Sequence, residues 1–233
     1  MKTPPVVSPE EWQQAREEML VKEKEYMRAG DALAAERRRM PWQPVEKDYK
    51  FVGPDGEMSF EDLFQGRTQL IVYRAFYDPD ITTTIDPYSY PERACGGCSF
   101  VADQVAHPAH LGGRDTALAF VSRSPYAQIR DLQERMGWQR IPWFELTDGW
   151  DKDFDVDEWH GTNVFIRTDD GIFRTYWVDA RGDERMGGTW AYLDITPLGR
   201  QEKWEDSPEG YPQTDPYGWW NYNDSYDDAP AKS

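Results

Sequence analysis

Cysteine, histidine and positive charge are all scarce in this chain. Its 233 residues include two cysteines and three histidines, and 26 Lys and Arg stand against 43 Asp and Glu. The net charge of −17 repels nucleic acid and anionic membrane surfaces over most of the exterior, so neither is an expected partner. No apolar run has membrane-spanning length, and the opening MKTPPVVSPEEW lacks the apolar stretch of an export signal. The expected setting is the cytoplasm, where a disulfide is seldom structural. The two cysteines, Cys95 and Cys98, are also too close in sequence for a bridge between them to remove much entropy from the unfolded chain. Glycine-rich phosphate loops, dinucleotide fingerprints and nucleophile elbows are absent too.

What is present is the composition of a folded protein, with 39 % hydrophobic and 15 % aromatic residues. The expected class is α/β, in three stretches: a helical arm over 1–44, a central domain over 45–203 and an acidic, aromatic strap over 204–233. Ser8, Pro9 and Glu11 read as the capping box of a helix from Glu10 to Ala29. Trp12, Ala15, Met19, Tyr26 and Met27 share part of one of its faces, a surface suited to packing on its own domain or on a second copy. Gly30 and Asp31 predict a break, and Ala32 to Arg39 a second short helix.

Strands are expected at Val45 to Val52, Gln69 to Tyr77, Thr116 to Val121 and Trp143 to Leu146. Thr162 to Arg167 and Ile172 to Val178 should form a hairpin around Asp169, Asp170 and Gly171. Helices are predicted at Ser59 to Gln65, Cys98 to Val105, Pro125 to Met136 (closed by Gly137), and from Thr189 to Leu193. Asp78 to Ala94 reads as a long loop leading into Cys95, and Gly182 to Gly188 as a flexible turn. The strap places Trp204, Tyr211, Tyr217, Trp219, Trp220, Tyr222 and Tyr226 among acidic residues, too many aromatics for a disordered tail.

Cys95-Gly96-Gly97-Cys98, between a strand and a helix, is a mechanism as well as a pattern. Unpaired N–H groups and the dipole at a helix N-terminus stabilise a thiolate at the first cysteine. The second lies one turn on, placed to attack a mixed disulfide formed at the first. Arg93 is a further candidate to favour the Cys95 thiolate. Tyr73, Arg74, Tyr77 and Tyr88 are candidates to line the cleft, or to belong to the core.

Several segments then carry a resemblance: Tyr49 to Gly56 (YKFVGPDG), Leu63 to Arg67 (LFQGR), Gln69 to Tyr73 (QLIVY), Cys95 to Phe100 (CGGCSF), His110 to Val121, Arg135 to Trp138 (RMGW) and Tyr192 to Gln201 (YLDITPLGRQ). Across about residues 10 to 205 the chain resembles a thioredoxin-like bacterial family of unknown function, predicted to be dithiol–disulfide oxidoreductases. The resemblance implies a thioredoxin-like sheet with flanking helices. Thioredoxins proper set a cis-proline opposite the active cysteines. The corresponding stretch here is Trp159 to Asn163, which bears His160 and no proline.

That histidine opens three readings: a hydrogen-bonded loop residue, a proton donor or acceptor for the cysteines, or a metal ligand. Two thiolates and an imidazole suit copper(I), and a Cys95, Cys98 and His160 set is similar to that of Sco-type copper proteins. His107 and His110 follow the helix after Cys98 and sit too far along it to join a zinc site, so their expected role is helix termination. The favoured expectation is therefore a thiol–disulfide oxidoreductase that needs no cofactor, with Cys95 attacking, Cys98 resolving and His160 tuning the pair. Its substrate would be a thiol, a disulfide or another small molecule. The alternatives are a copper-binding protein or copper-dependent oxidase on the same three residues, and a non-catalytic binding module. A homo-oligomer built through the N-terminal helices is the expected assembly.

Overall fold

A computed structural model describes residues 2–78, 95–147, 149–154, 156 and 160–226. Helix α1 (Pro9–Arg37) opens the chain, followed by strands β1 (Gln43–Pro44), β2 (Lys50–Gly53) and β3 (Gly56–Ser59) and a 3-10 turn at Glu61–Phe64. Strand β4 (Gln69–Arg74) precedes helices α2 (Gly96–Asp103) and α3 (Pro108–Gly112). Strand β5 (Thr116–Ser122), helix α4 (Tyr126–Met136), strand β6 (Trp143–Leu146) and helix α5 (Trp150–Asp153) come next. Strands β7 (Gly161–Thr168) and β8 (Gly171–Val178), a 3-10 segment at Ala180–Met186 and helix α6 (Gly188–Asp194) complete the regular elements.

One eight-stranded mixed sheet runs in the order β1-β8-β7-β4-β5-β6-β2-β3. Strand β4 lies near its middle, parallel to β5 and antiparallel to β7. A strand, a helix, a parallel strand, a helix, an antiparallel hairpin and a last helix, with strand order β5-β4-β7-β8, make the thioredoxin-like arrangement that was expected.

The alternation of β4 sorts its side chains into two layers. Leu70 and Val72 join Phe51, Phe60, Phe64, Trp150 and Phe165 on one face. Tyr73 and Ala75 join Cys98, Ala102, Phe120, Ile129, Leu132 and Trp143 on the other, beneath α2 and α4. The motif therefore sits on a packed aromatic floor at the C-terminal end of a central strand.

Several boundaries differ from expectation. Helix α1 runs unbroken through Gly30, around which there is open space. A solvent-facing glycine costs a helix only about 1 kcal/mol, and the good helix formers on either side carry the turn through. The capping box is formed: Glu11 N–H donates to Ser8 Oγ (3.2 Å) and Ser8 N–H to Glu11 Oε2 (2.9 Å). No residue of α1 is buried. The first long strand is cut to Lys50–Gly53, because it pairs only with β3 and a short stretch of β6. The supposed flexible turn at Gly182 to Gly188 is mostly the ordered 3-10 segment, with Asp183 and Glu184 buried in it. No helix among the described residues is long and apolar enough to cross a membrane.

Candidate active site

The chain just past β4 holds both cysteines. Cys95 N–H donates to the carbonyl of Phe76 (3.1 Å), and Phe76 N–H donates to Cys98 Sγ (3.2 Å). Ala75 N–H in turn bonds the carbonyl of Val121 (2.9 Å), tying this strand extension to β5. Cys95 is the N-cap of α2, in extended backbone, and its carbonyl accepts from Ser99 N–H (2.9 Å). The motif is thus the N-terminus of a helix pinned against the end of a central strand, as the pattern implied.

The two thiols are free cysteines with different surroundings: Cys95 is half-buried and Cys98 is buried. A hydrogen bond from the Cys98 thiol brings Cys95 down to about 7. Burial opposes this shift, and the N–H groups of Cys98 and Gly97 support it. Cys98 moves the other way, well up, because it donates to Cys95, is buried and faces the neighbouring negative charge. Tyr73 Oη, 3.4 Å away, and Phe76 N–H partly offset this by bonding its sulfur. Near neutral pH Cys95 is therefore partly thiolate, while Cys98 keeps its proton.

Tyr73 earns its place by register. It is opposite Thr162 on β7, and cross-strand partners share a face. Thr162 Oγ1 donates to Asp183 Oδ1 (2.8 Å). Asp183 Oδ2 is buried and accepts no hydrogen bond; His160 Nδ1 stands 4.0 Å from it. Burial raises Asp183 to about 7; the Thr162 hydroxyl opposes this and the charge of Asp179 adds to it. The charge of Asp183 also contributes to the upward shift of the Tyr73 phenol. Sequence reasoning missed Asp183. Its surroundings of glycine and charge read as a turn, and only Thr162, 21 positions away, shows that it is buried.

His160 stands immediately before β7, with Asp183 beside it. Among the described residues no three or more His, Cys, Asp or Glu side chains assemble as metal ligands. The expected copper arrangement of Cys95, Cys98 and His160 is therefore not formed by these side chains. His107 caps α3, its Nδ1 accepting from Ala109 N–H (3.3 Å). Arg74 lines no cleft: it is wholly buried and bidentate to Asp151 (Nε–Oδ1 2.8 Å, Nη2–Oδ2 2.9 Å). Arg93, Tyr88 and Trp159 lie outside the described residues.

Fold and site together define an α/β protein of thioredoxin-like arrangement with two adjacent thiols at a helix N-terminus. A family described as "Bacterial protein of unknown function (DUF899)" matches residues 1–226, and the chain belongs to it. No curated protein matches the chain. Among solved structures it is similar to a yeast mitochondrial 1-Cys peroxiredoxin, with 14 % identity and a TM-score of 0.38, over 63 % of this chain and 73 % of that one. It is also similar to a hypothetical protein from Sinorhizobium meliloti 1021, with 11 % identity and a TM-score of 0.38, over 67 % of this chain and 82 % of that one.

Proposed function

We propose that the protein is a thiol–disulfide oxidoreductase in which Cys95 attacks and Cys98 resolves. The observation that carries this reading is the hydrogen bond between the two thiols at the start of α2, which lowers one and raises the other. The Cys95 thiolate attacks one sulfur of a disulfide. That S–S bond breaks, and the departing thiolate takes a proton from solvent. Cys98 then loses its proton and attacks Cys95 Sγ, releasing the second thiol. Two electrons pass to the substrate, and a Cys95–Cys98 disulfide remains until an external dithiol reduces it. Tyr73 Oη, which donates to Cys98 Sγ, stabilises the charge that Cys98 acquires in the second step. Asp183, whose charge is felt at Tyr73, and His160 beside Asp183 are the titratable groups suited to receive the proton.

Equilibration of the pure reduced protein in glutathione redox buffers, followed by acid quenching and mass measurement, tests the proposal. The expected result is a reversible loss of two hydrogens, with Cys95→Ser trapped as neither disulfide nor mixed disulfide at Cys98. Failure to oxidise across the whole buffer range overturns the reading. So does retention of one copper(I) per chain against a strong chelator, which would put the metal reading in its place.

A further inference from the structure

The chain beyond α6 has almost no regular structure, yet it reaches back to the motif. Glu202, almost wholly buried, fastens it: its carboxylate accepts from Trp219 Nε1 (2.8 Å), from Tyr217 N–H (2.9 Å) and from Trp204 Nε1. Farther along, Asn223 Nδ2 donates to Asp103 at the end of α2 (2.6 Å), and Arg135 on α4 is bidentate to Asp224 (3.0 and 3.2 Å). Between these anchors Trp220 stacks on Phe100 of α2, with ring centroids 5.6 Å apart and planes 9° apart. A Cβ on Gly97 would stand 3.0 Å from Trp220 Cε3 and 3.5 Å from Cys95 Sγ. The indole edge and the reactive sulfur thus border the same small space, which glycine leaves open and any other residue would fill.

Disulfide exchange needs the attacking sulfur to approach along the S–S axis. A disulfide in a folded protein brings two stretches of backbone with it, and these need surface beside the motif to lie on. On the α2 side of the motif, among the described residues, Trp220 and its anchors occupy that surface. A small, flexible disulfide needs only the slot.

We infer that the strap, through Trp220, restricts Cys95 to small disulfides of glutathione size and excludes disulfides held in folded proteins. This rests on the dithiol reading above and deepens it by naming the substrate class. The exchange is the one already written: the small disulfide is reduced to two thiols, and Cys95 and Cys98 are oxidised to a disulfide.

The test is a single-turnover comparison of the reduced full chain with oxidised glutathione and with insulin, read as second-order rate constants. Wild type should favour glutathione disulfide by about a hundredfold, and Trp220→Ala should reduce that preference by about tenfold, or 1.4 kcal/mol of barrier. Because Trp220→Ala also removes packing, Glu202→Gln is measured beside it. It leaves the indole intact and loosens the anchor, and should lower the preference in the same direction by a smaller factor. The inference is overturned if wild type reacts equally fast with both substrates. It is also overturned if both variants, folded by circular dichroism, keep the wild-type ratio. Failure of wild type to react with either substrate would instead strike the dithiol reading itself.

Discussion

Tyr73 and Arg74 are neighbours on β4 that point to opposite faces, and the two faces treat charge differently. On the Arg74 side the charges are matched. Asp151 holds Arg74 in two bonds and also receives Arg123 (3.0 Å), whose other end reaches Asp78 (3.6 Å). On the Tyr73 side Asp183 meets one hydroxyl and an imidazole 4.0 Å away, and Cys98 keeps a proton that chemistry must remove. One face spends its polar groups on holding the strand end in place. The other leaves protons to move.

The largest effect expected from breaking this contrast is on the Arg74 side. Arg74→Ala strands Asp151 with only the half-exposed Arg123, and should cost about 3–5 kcal/mol of stability by urea denaturation. Replacing the pair together, Arg74→Met with Asp151→Leu, should recover most of that loss, since the penalty arises from the uncompensated charge.

The next effect belongs to Asp183. An unfolded aspartate titrates near 3.8, and in the fold burial holds Asp183 near 7. The folded chain therefore binds this proton more tightly than the unfolded one. That contribution is complete below about pH 4 and is lost as pH rises through about 7. The gap corresponds to roughly 4 kcal/mol at most. Thermal unfolding of Asp183→Asn between pH 4 and 8 should show a flatter profile than wild type, and an unchanged profile would mean that Asp183 is already charged at low pH.

The smallest effect is kinetic. Tyr73→Phe removes the hydroxyl bonded to Cys98 Sγ but keeps the ring packed 4.8 Å from that of Phe120. Rapid-quench mass measurement should find the mixed disulfide at Cys95 resolving about tenfold more slowly. The initial attack should be little altered, because the hydroxyl bonds Cys98 rather than Cys95.

Much of this was legible in the sequence, wherever local signals and tertiary demands agree. Strands β4, β5 and β6, helix α4 with its left-handed stop at Gly137 (φ 76°), and the β7–β8 hairpin all follow from periodicity and turn chemistry. So does the position of the motif between strand and helix. The groups that set its surroundings were not legible, because their partners are remote in sequence. A lone arginine inside the apolar run QLIVYRAFY announces a buried counter-charge, but Asp151 is 77 positions away. Gly97 says only that space is needed, and Trp220 supplies the reason from the far end of the chain. Gly30 misled in the opposite way, since a local preference with no tertiary consequence was given too much weight.

Helix α1 carries a consequence for the order of events in folding. It is about 43 Å long at 1.5 Å per residue, buries no residue, and is held by hydrogen bonds that each span a single turn. Such a segment needs no distant part of the chain. Helix–coil relaxation takes about a microsecond or less, whereas pairings that close long loops wait on chain diffusion. Strand β4 must find β7 across some ninety residues. The arm at the start of the chain can thus form and melt many times before the sheet that carries the two thiols has closed.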